Sequence, residues 1–308
     1  MRVTLLGTGC PRACPERGGA ATLIETEEAA VLVDCGSGVT QALVAHGCPG
    51  AALDALLVTH LHSDHLVDFY QLVVSSWHQG RERPWRVHCP DSVAAFVEGT
   101  MALWSDERAL RIEWEERGDT EGLEVETVPL APGGLIAIGD LTVETVEVDH
   151  APVRPAYGFV FRAGGRAAVV SGDTRVCPAL IAAGQGCDLL VHEVFLHGAM
   201  KTSGGRTFSL SNVADYHTAS AEVGGVARAM GAAALALTHF VPPVFERSDL
   251  LAEVAGDYDG PVFVGEDGMC FDLGRGEVRY GTFAARLPIR RADGAGGAIA
   301  APGGDGAA

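Results

Sequence analysis

Residues 60–65 read His-Leu-His-Ser-Asp-His and follow directly on the apolar run Ala55-Leu56-Leu57-Val58-Thr59. A short apolar run of this kind predicts a buried strand. Four polar side chains crowded at its end would together cost several kcal/mol if nothing bound them. Such a chain must fold so that these groups share a partner. Neutral imidazoles beside a carboxylate suit zinc, a borderline-soft ion that takes nitrogen and oxygen donors.

Three more candidates follow, each just after a strand-like run: His150, Asp173 in Ser171-Gly172-Asp173-Thr174, and His239 in Leu237-Thr238-His239-Phe240. Singly, each is an ordinary residue. Together with His60, His62, Asp64 and His65 they exceed the three ligands of a mononuclear site, so two ions are expected. Paired ions about 3.5–4 Å apart share a carboxylate, and Asp173 is the expected bridge. Strand-like runs at 2–6, 21–25, 30–34, 55–59, 141–148, 157–161, 167–171, 188–193, 234–240, 261–268 and 269–273 alternate with helix-like stretches at 91–104, 218–230 and 248–255. The class is therefore α/β or α+β. Candidate ligands at strand ends are expected to converge on one sheet edge.

Composition narrows the partners. With 308 residues, 47% of them apolar, the chain can bury a large core without disulfides or other staples. The formal charge of −18 disfavours long nucleic acids, whose phosphates need a basic stripe. No segment approaches about 18 uncharged apolar residues, so no membrane span is expected, and the protein is read as cytoplasmic. Its eight cysteines are scattered and expected to be reduced. Residues 1–285 are expected to form the folded domain and 286–308 a tail, whose Gly/Ala/Pro-rich part at 291–308 lacks the bulky side chains that would repay ordering. Residues 197–212 are expected to form a flap near the site.

The order HxHxDH, a lone His, Gly-Asp-Thr and Leu-Thr-His resembles the metallo-β-lactamase superfamily across roughly residues 1–285. That resemblance implies a four-layer αββα sandwich with two zinc ions at one edge of its sheets. It implies that His60, His62 and His150 hold one ion and Asp64, His65 and His239 the other, and that Asp34 supports the metal loop from behind. Asp173 stands where true β-lactamases commonly carry cysteine. Leu5-Leu6-Gly7-Thr8-Gly9, His192-Glu193 and His217-Thr218-Ala219 are closer to ribonuclease Z, as is Asp267-Gly268-Met269 more distantly. By that resemblance Glu193 pairs with His217, and His217 acts on the leaving group. The implied reaction is attack by a metal-bridging hydroxide, oriented by Asp64.

Two departures bear on substrate. Leu66-Val67-Asp68-Phe69-Tyr70 replaces the family's Gly-Leu-Pro-Gly-like stretch, and residues 151–172 leave no room for the tRNA-clamping arm inserted between the third histidine and Gly-Asp-Thr. With the acidic charge, these favour a small anionic phosphodiester or sulfate ester, as in arylsulfatase-like members, over tRNA 3′-processing. A carboxylic ester, lactone or thioester hydrolase and a non-hydrolytic metal-binding member are the alternatives. The basic, aromatic stretch 78–86 is either a guide for an anionic ester or a solvated loop. Trp77, Trp85, Trp104 and Trp114 are either substrate walls or core. His192 is expected to face the core, and His46, His78, His88 and His197 to fill or cover the surface. The resemblance also implies a homodimer.

Overall fold

The computed structural model describes residues 1–202 and 210–289. The middle of the expected flap and the part of the expected tail beyond residue 289 lie outside the described residues. The chain first lays down β1 (Arg2–Gly7), β2 (Ala21–Glu25), β3 (Ala30–Val33), β4 (Ala55–Leu57), β5 (Trp85–Cys89) and β6 (Val125–Pro129). A second set follows: β7 (Leu135–Ile138), β8 (Leu141–Val148), β9 (Ala156–Ala163), β10 (Arg166–Val170), β11 (Leu189–Phe195), β12 (Leu235–Val241) and β13 (Val262–Val264). The chain then returns with β14 (Met269–Asp272), β15 (Glu277–Tyr280) and β16 (Phe283–Arg286).

Among the described residues these strands make two sheets, ordered β16-β15-β14-β1-β2-β3-β4-β5-β6 and β13-β12-β11-β10-β9-β8-β7. Helices α1 (Val39–His46), α2 (Phe69–His78) and α3 (Asp91–Leu103) cover the first sheet, with α4 (Ser105–Trp114) outside them. Helix α5 (Pro178–Ala183) covers the second, as do α8 (Ser220–Met230) and α9 (Arg247–Ala255); the short α6 (His197–Thr202) and α7 (Leu210–Ala214) lie between in sequence.

Period-two alternation builds the layers. Val31 and Val33, Ala55 and Leu57, Phe159 and Phe161, and Leu189 and Val191 all point between the sheets. Their neighbours Leu32 and Leu56 face α1 and α2, while Val160 and Leu190 face α5 and α8. A strand with apolar residues on both faces must be covered on both, which produces the αββα sandwich. Strands β3 to β6 run parallel, as do β10 to β13. Their C-terminal ends therefore lie at common edges, and Asp34, His60, Asp173 and His239 stand at or near such ends.

The expected strands and helices are present with ends shifted by a few residues. The strands β5, β6, β7, β15 and β16 and the helices α1, α2, α4 and α5 are further elements. β16 reaches Arg286 and Leu287 is buried, so the folded unit continues past the boundary expected at 285. No described helix is long and apolar enough to cross a membrane.

Candidate metal centre

The six residues after β4 and its two-residue extension do not continue as a strand. They close into a 3₁₀ turn at Ser63–His65 that buries Asp64 and His65, while Ser63 is exposed. Gly36 allows the loop after β3 to approach closely: a Cβ there would meet the Asp64 carbonyl at 2.3 Å. The Cys35 amide donates to the His65 carbonyl at 2.7 Å and clips the two loops together. Gly172, at φ 59°, turns the chain after β10 and leaves Asp173 inside the site.

The seven predicted side chains meet. His60 Nε2 and His62 Nδ1 lie 2.9 Å apart, and His150 Nε2 is 3.3 Å from the same His62 nitrogen. On the other side, His239 Nε2 lies 3.1 Å and His65 Nε2 3.7 Å from Asp64 Oδ2. Asp173 Oδ2 stands between the groups, 3.4 Å from His239, 3.5 Å from His65, 3.8 Å from His60 and 3.9 Å from His150. One donor atom from each of His60, His62, His150 and Asp173 lies within 4.8 Å of the others, and so do donors from Asp64, His65 and His239.

The partners behind the ligands set which nitrogen is free. Thr59 Oγ1 donates to Asp34 and accepts from His60 Nδ1 at 2.9 Å; His65 Nδ1 donates to Asp34 Oδ2 at 2.8 Å; His150 Nδ1 donates to the Tyr216 carbonyl at 2.8 Å. Each bond holds the proton on Nδ1 and leaves the Nε2 lone pair pointing inward, the tautomer a metal requires. Asp34, at φ 61°, also accepts the Thr59 amide at 2.8 Å.

Divalent cations fit this donor set. Three imidazole nitrogens turned on one another need a positive charge at their meeting point, and Asp64 Oδ1, His65 Nε2 and His239 Nδ1 are buried without a hydrogen-bond partner. Burial holds His60 well below its ordinary pKa, helped by the nearby His65, and holds His62 and His150 down as well. His65 moves the other way: burial opposes its charge, but Asp173, Asp34 and Asp64 outweigh burial and raise it well above the usual range. Burial also works against the Asp173 carboxylate, yet His239, His65 and His60 overcome that cost and hold it well below a normal carboxylate.

Glu193 and His217 also meet. Glu193 Oε1 accepts from His217 Nδ1 at 2.9 Å and from the amides of Thr174 and Thr218 at 3.1 and 3.2 Å. The His217 ring lies 5.3 Å from His150 and 5.7 Å from His239, with Phe195 parallel to it at 6.4 Å.

The stretch 78–86 does not serve as a guide for substrate. Arg81 is buried over the Trp85 ring and donates to the carbonyls of Gly50, Leu53 and Pro84, at the start of β4, opposite the end that carries the ligands. Trp77 and Trp85 are core, whereas Trp104 and Trp114 are exposed at α4. His192 is buried, with Nδ1 2.8 Å from the Glu193 carbonyl, and His88 is buried in β5, while His46 pairs with Glu25. Sequence reasoning missed Thr59 and the Tyr216 carbonyl. Thr59 adjoins the motif and was open to discovery; a backbone carbonyl carries no residue-type signal.

The two packed sheets and the His/Asp cluster at their edge define a metal-binding hydrolase of the metallo-β-lactamase fold. Residues 29–240 match the Beta-lactamase superfamily domain, and the chain belongs to that superfamily. It is 32% identical over 273 residues to a Ribonuclease Z of Mycobacterium bovis (strain BCG / Pasteur 1173P2), an alignment spanning 87% of this chain and 96% of that protein. Among solved structures it resembles the metallo-beta-lactamase fold protein YhfI of Bacillus subtilis, with TM-score 0.68, 22% identity and coverage of 87% and 98%. The short form of human tRNase Z aligns with TM-score 0.66 and 22% identity, covering 88% of this chain and 99% of that one.

Proposed function

We propose that this chain is a di-zinc phosphodiesterase acting on a small anionic phosphodiester. The observation that carries the reading is the buried Glu193–His217 pair, 2.9 Å apart, with its imidazole beside ligand candidates from both halves of the cluster. His60, His62 and His150 would hold one zinc, Asp64, His65 and His239 the other, and Asp173 would touch both. Ions bound there supply Lewis acidity and a water whose pKa falls toward about 7. Asp64 orients the attacking water through the carboxylate that also meets His239. His217, its Nδ1 proton held by Glu193, carries a second proton on Nε2 for the leaving-group oxygen.

A small substrate is supported by the closure of β9 onto β10 through Gly164 and Gly165, where an arm would otherwise be inserted, and by the charge of −18. The relationship to a protein named Ribonuclease Z over nearly its whole length favours a second reading, cleavage of RNA at the same site. The cytoplasmic setting belongs to the proposal and is supported by eight cysteines that form no disulfide. A homodimer belongs to it too, supported by the exposed Leu103, Trp104, Leu110 and Trp114.

The test is metal content together with turnover of a bis-aryl phosphate, an aryl sulfate, an aryl ester and a tRNA precursor. Two zinc ions per chain and turnover chiefly of the phosphodiester are expected. Faster sulfate or carbon-ester hydrolysis replaces the substrate class, preferential cutting of the precursor selects the RNA reading, and a protein that binds no metal overturns the proposal.

A further inference from the structure

We infer that Arg17, which touches none of the candidate ligands, is a positioning residue for His239. In the pairing of β11 with β12, Glu193 lies opposite Thr238 and Val194 opposite Phe240, so His239 is an extra residue bulged from the ladder. Its φ is 45°, in the left-handed region that side chains bearing a Cβ rarely adopt. A bulge re-aims a side chain, and this one turns His239 Nε2 to within 3.1 Å of Asp64 Oδ2 and 3.4 Å of Asp173 Oδ2. The bend needs a hold on both of its sides.

That hold comes from outside the sheet pairing. Before the bulge, the Leu237 carbonyl accepts the Gly265 amide at 2.9 Å; after it, the Phe240 amide donates to the Thr8 carbonyl at 3.1 Å. Arg17 joins these two anchors, donating through one nitrogen to Gly265 O at 2.8 Å and Thr8 Oγ1 at 2.6 Å. Its guanidinium lies 4.4 Å from the centre of the Phe240 ring and is paired with Glu266 at 3.2 Å. Asp267 fixes the same corner by accepting from the Thr8 amide, the Thr8 hydroxyl and the Gly18 amide at 2.9, 2.7 and 2.5 Å. The planar fork of arginine suits this task, since lysine cannot span the two oxygens with the same fixed geometry.

The inference rests on the two-ion reading, and the experiment separates the two. Cobalt(II) is titrated into metal-free protein and followed by its visible absorption, with His239→Ala marking the spectral component of the His239 side. Arg17→Gln is expected to weaken that component about ten- to a hundredfold and to leave the other within about twofold; Arg17→Lys recovers part of the loss. Folded Arg17→Gln that binds both ions with native affinity, or loses both equally with a lowered Tm, overturns the inference. If Arg17→Gln does not fold, Asp267→Asn decides in the same way, native two-ion binding again overturning it. Fewer than two cobalt ions in the unaltered protein overturns the two-ion reading and this inference together.

Discussion

The Glu193 carboxylate holds the His217 imidazole in the interior of the site, Oε1 to Nδ1 at 2.9 Å, although the two residues come from different elements, β11 and the turn before α8. The same oxygen takes two backbone amides, from Thr174 and Thr218, so the pair is tied to the loop that carries Asp173. A histidine so fixed keeps its Nε2 edge in one orientation.

Replacing His217 with alanine is expected to lower turnover about 10²–10³-fold on a phosphodiester with an alkoxide leaving group, and far less on one with a nitrophenolate. Bound metal should stay at the native level. Steady-state rates over a leaving-group series, with metal content of the same samples, check this; equal losses across the series would remove the assigned proton donor.

The pH behaviour of His217 follows from its surroundings. Burial disfavours the imidazolium, but Glu193 and then Asp173 outweigh it and bring the pKa from 6.5 up to about 9 in the metal-free protein. A raised folded-state pKa stabilises the fold fully below pH 6.5, and the contribution disappears as pH rises through about 9. Histidine ring signals in NMR should show this titration, and Glu193→Gln should move it down. Bound cations should lower it as well, since like charges disfavour the imidazolium.

Metal uptake at neutral pH should release protons unevenly. His60, His62 and His150 are already neutral, whereas His65 is held protonated by its three carboxylates. Calorimetry in buffers of different ionisation enthalpy should therefore show about one proton released for the ion on the His65 side and close to none for the other. Equal release from both would contradict the assigned charge states.

Thr59→Val keeps the side-chain volume but leaves the His60 Nδ1 proton unpaired and strips a donor from Asp34. Metal affinity is expected to fall about ten- to a hundredfold, read by competition with a chelator. Unchanged affinity would mean that the hydroxyl does not set the His60 tautomer.

Arg81→Ala tests the structural role of the basic stretch. Three carbonyls lose their donor and Trp85 loses its stacked cation, so unfolding by urea should show a loss of roughly 2–4 kcal/mol. kcat/KM on an anionic ester should be unchanged at a temperature where the variant is folded.

Much of the fold was legible because its strands alternate strictly. Leu32 between Val31 and Val33, or Val160 between Phe159 and Phe161, signals a strand covered on both faces without any tertiary information. Helix α2 was not legible: Phe69–His78 follows the ligand loop immediately, and its Leu72, Val73 and Trp77 become a buried face only once the loop has turned. Strand β5 was hidden by its own charges. Arg86 is exposed on a strand whose Trp85 and Val87 are core, and from sequence the neighbouring arginines read as a loop.

The sequence by itself determined which side chains meet. A histidine or aspartate placed directly after a buried strand has to emerge at the sheet edge, so His60, His62, Asp64, His65, His150, Asp173 and His239 converge wherever those strands lie side by side. Only the tertiary structure decided how each is aimed. The Tyr216 carbonyl sets the His150 tautomer, the bulge at His239 turns its ring inward, and Gly172 swings Asp173 between the two groups. These are properties of backbone geometry and of hydrogen bonds between groups every residue carries, and no residue type announces them.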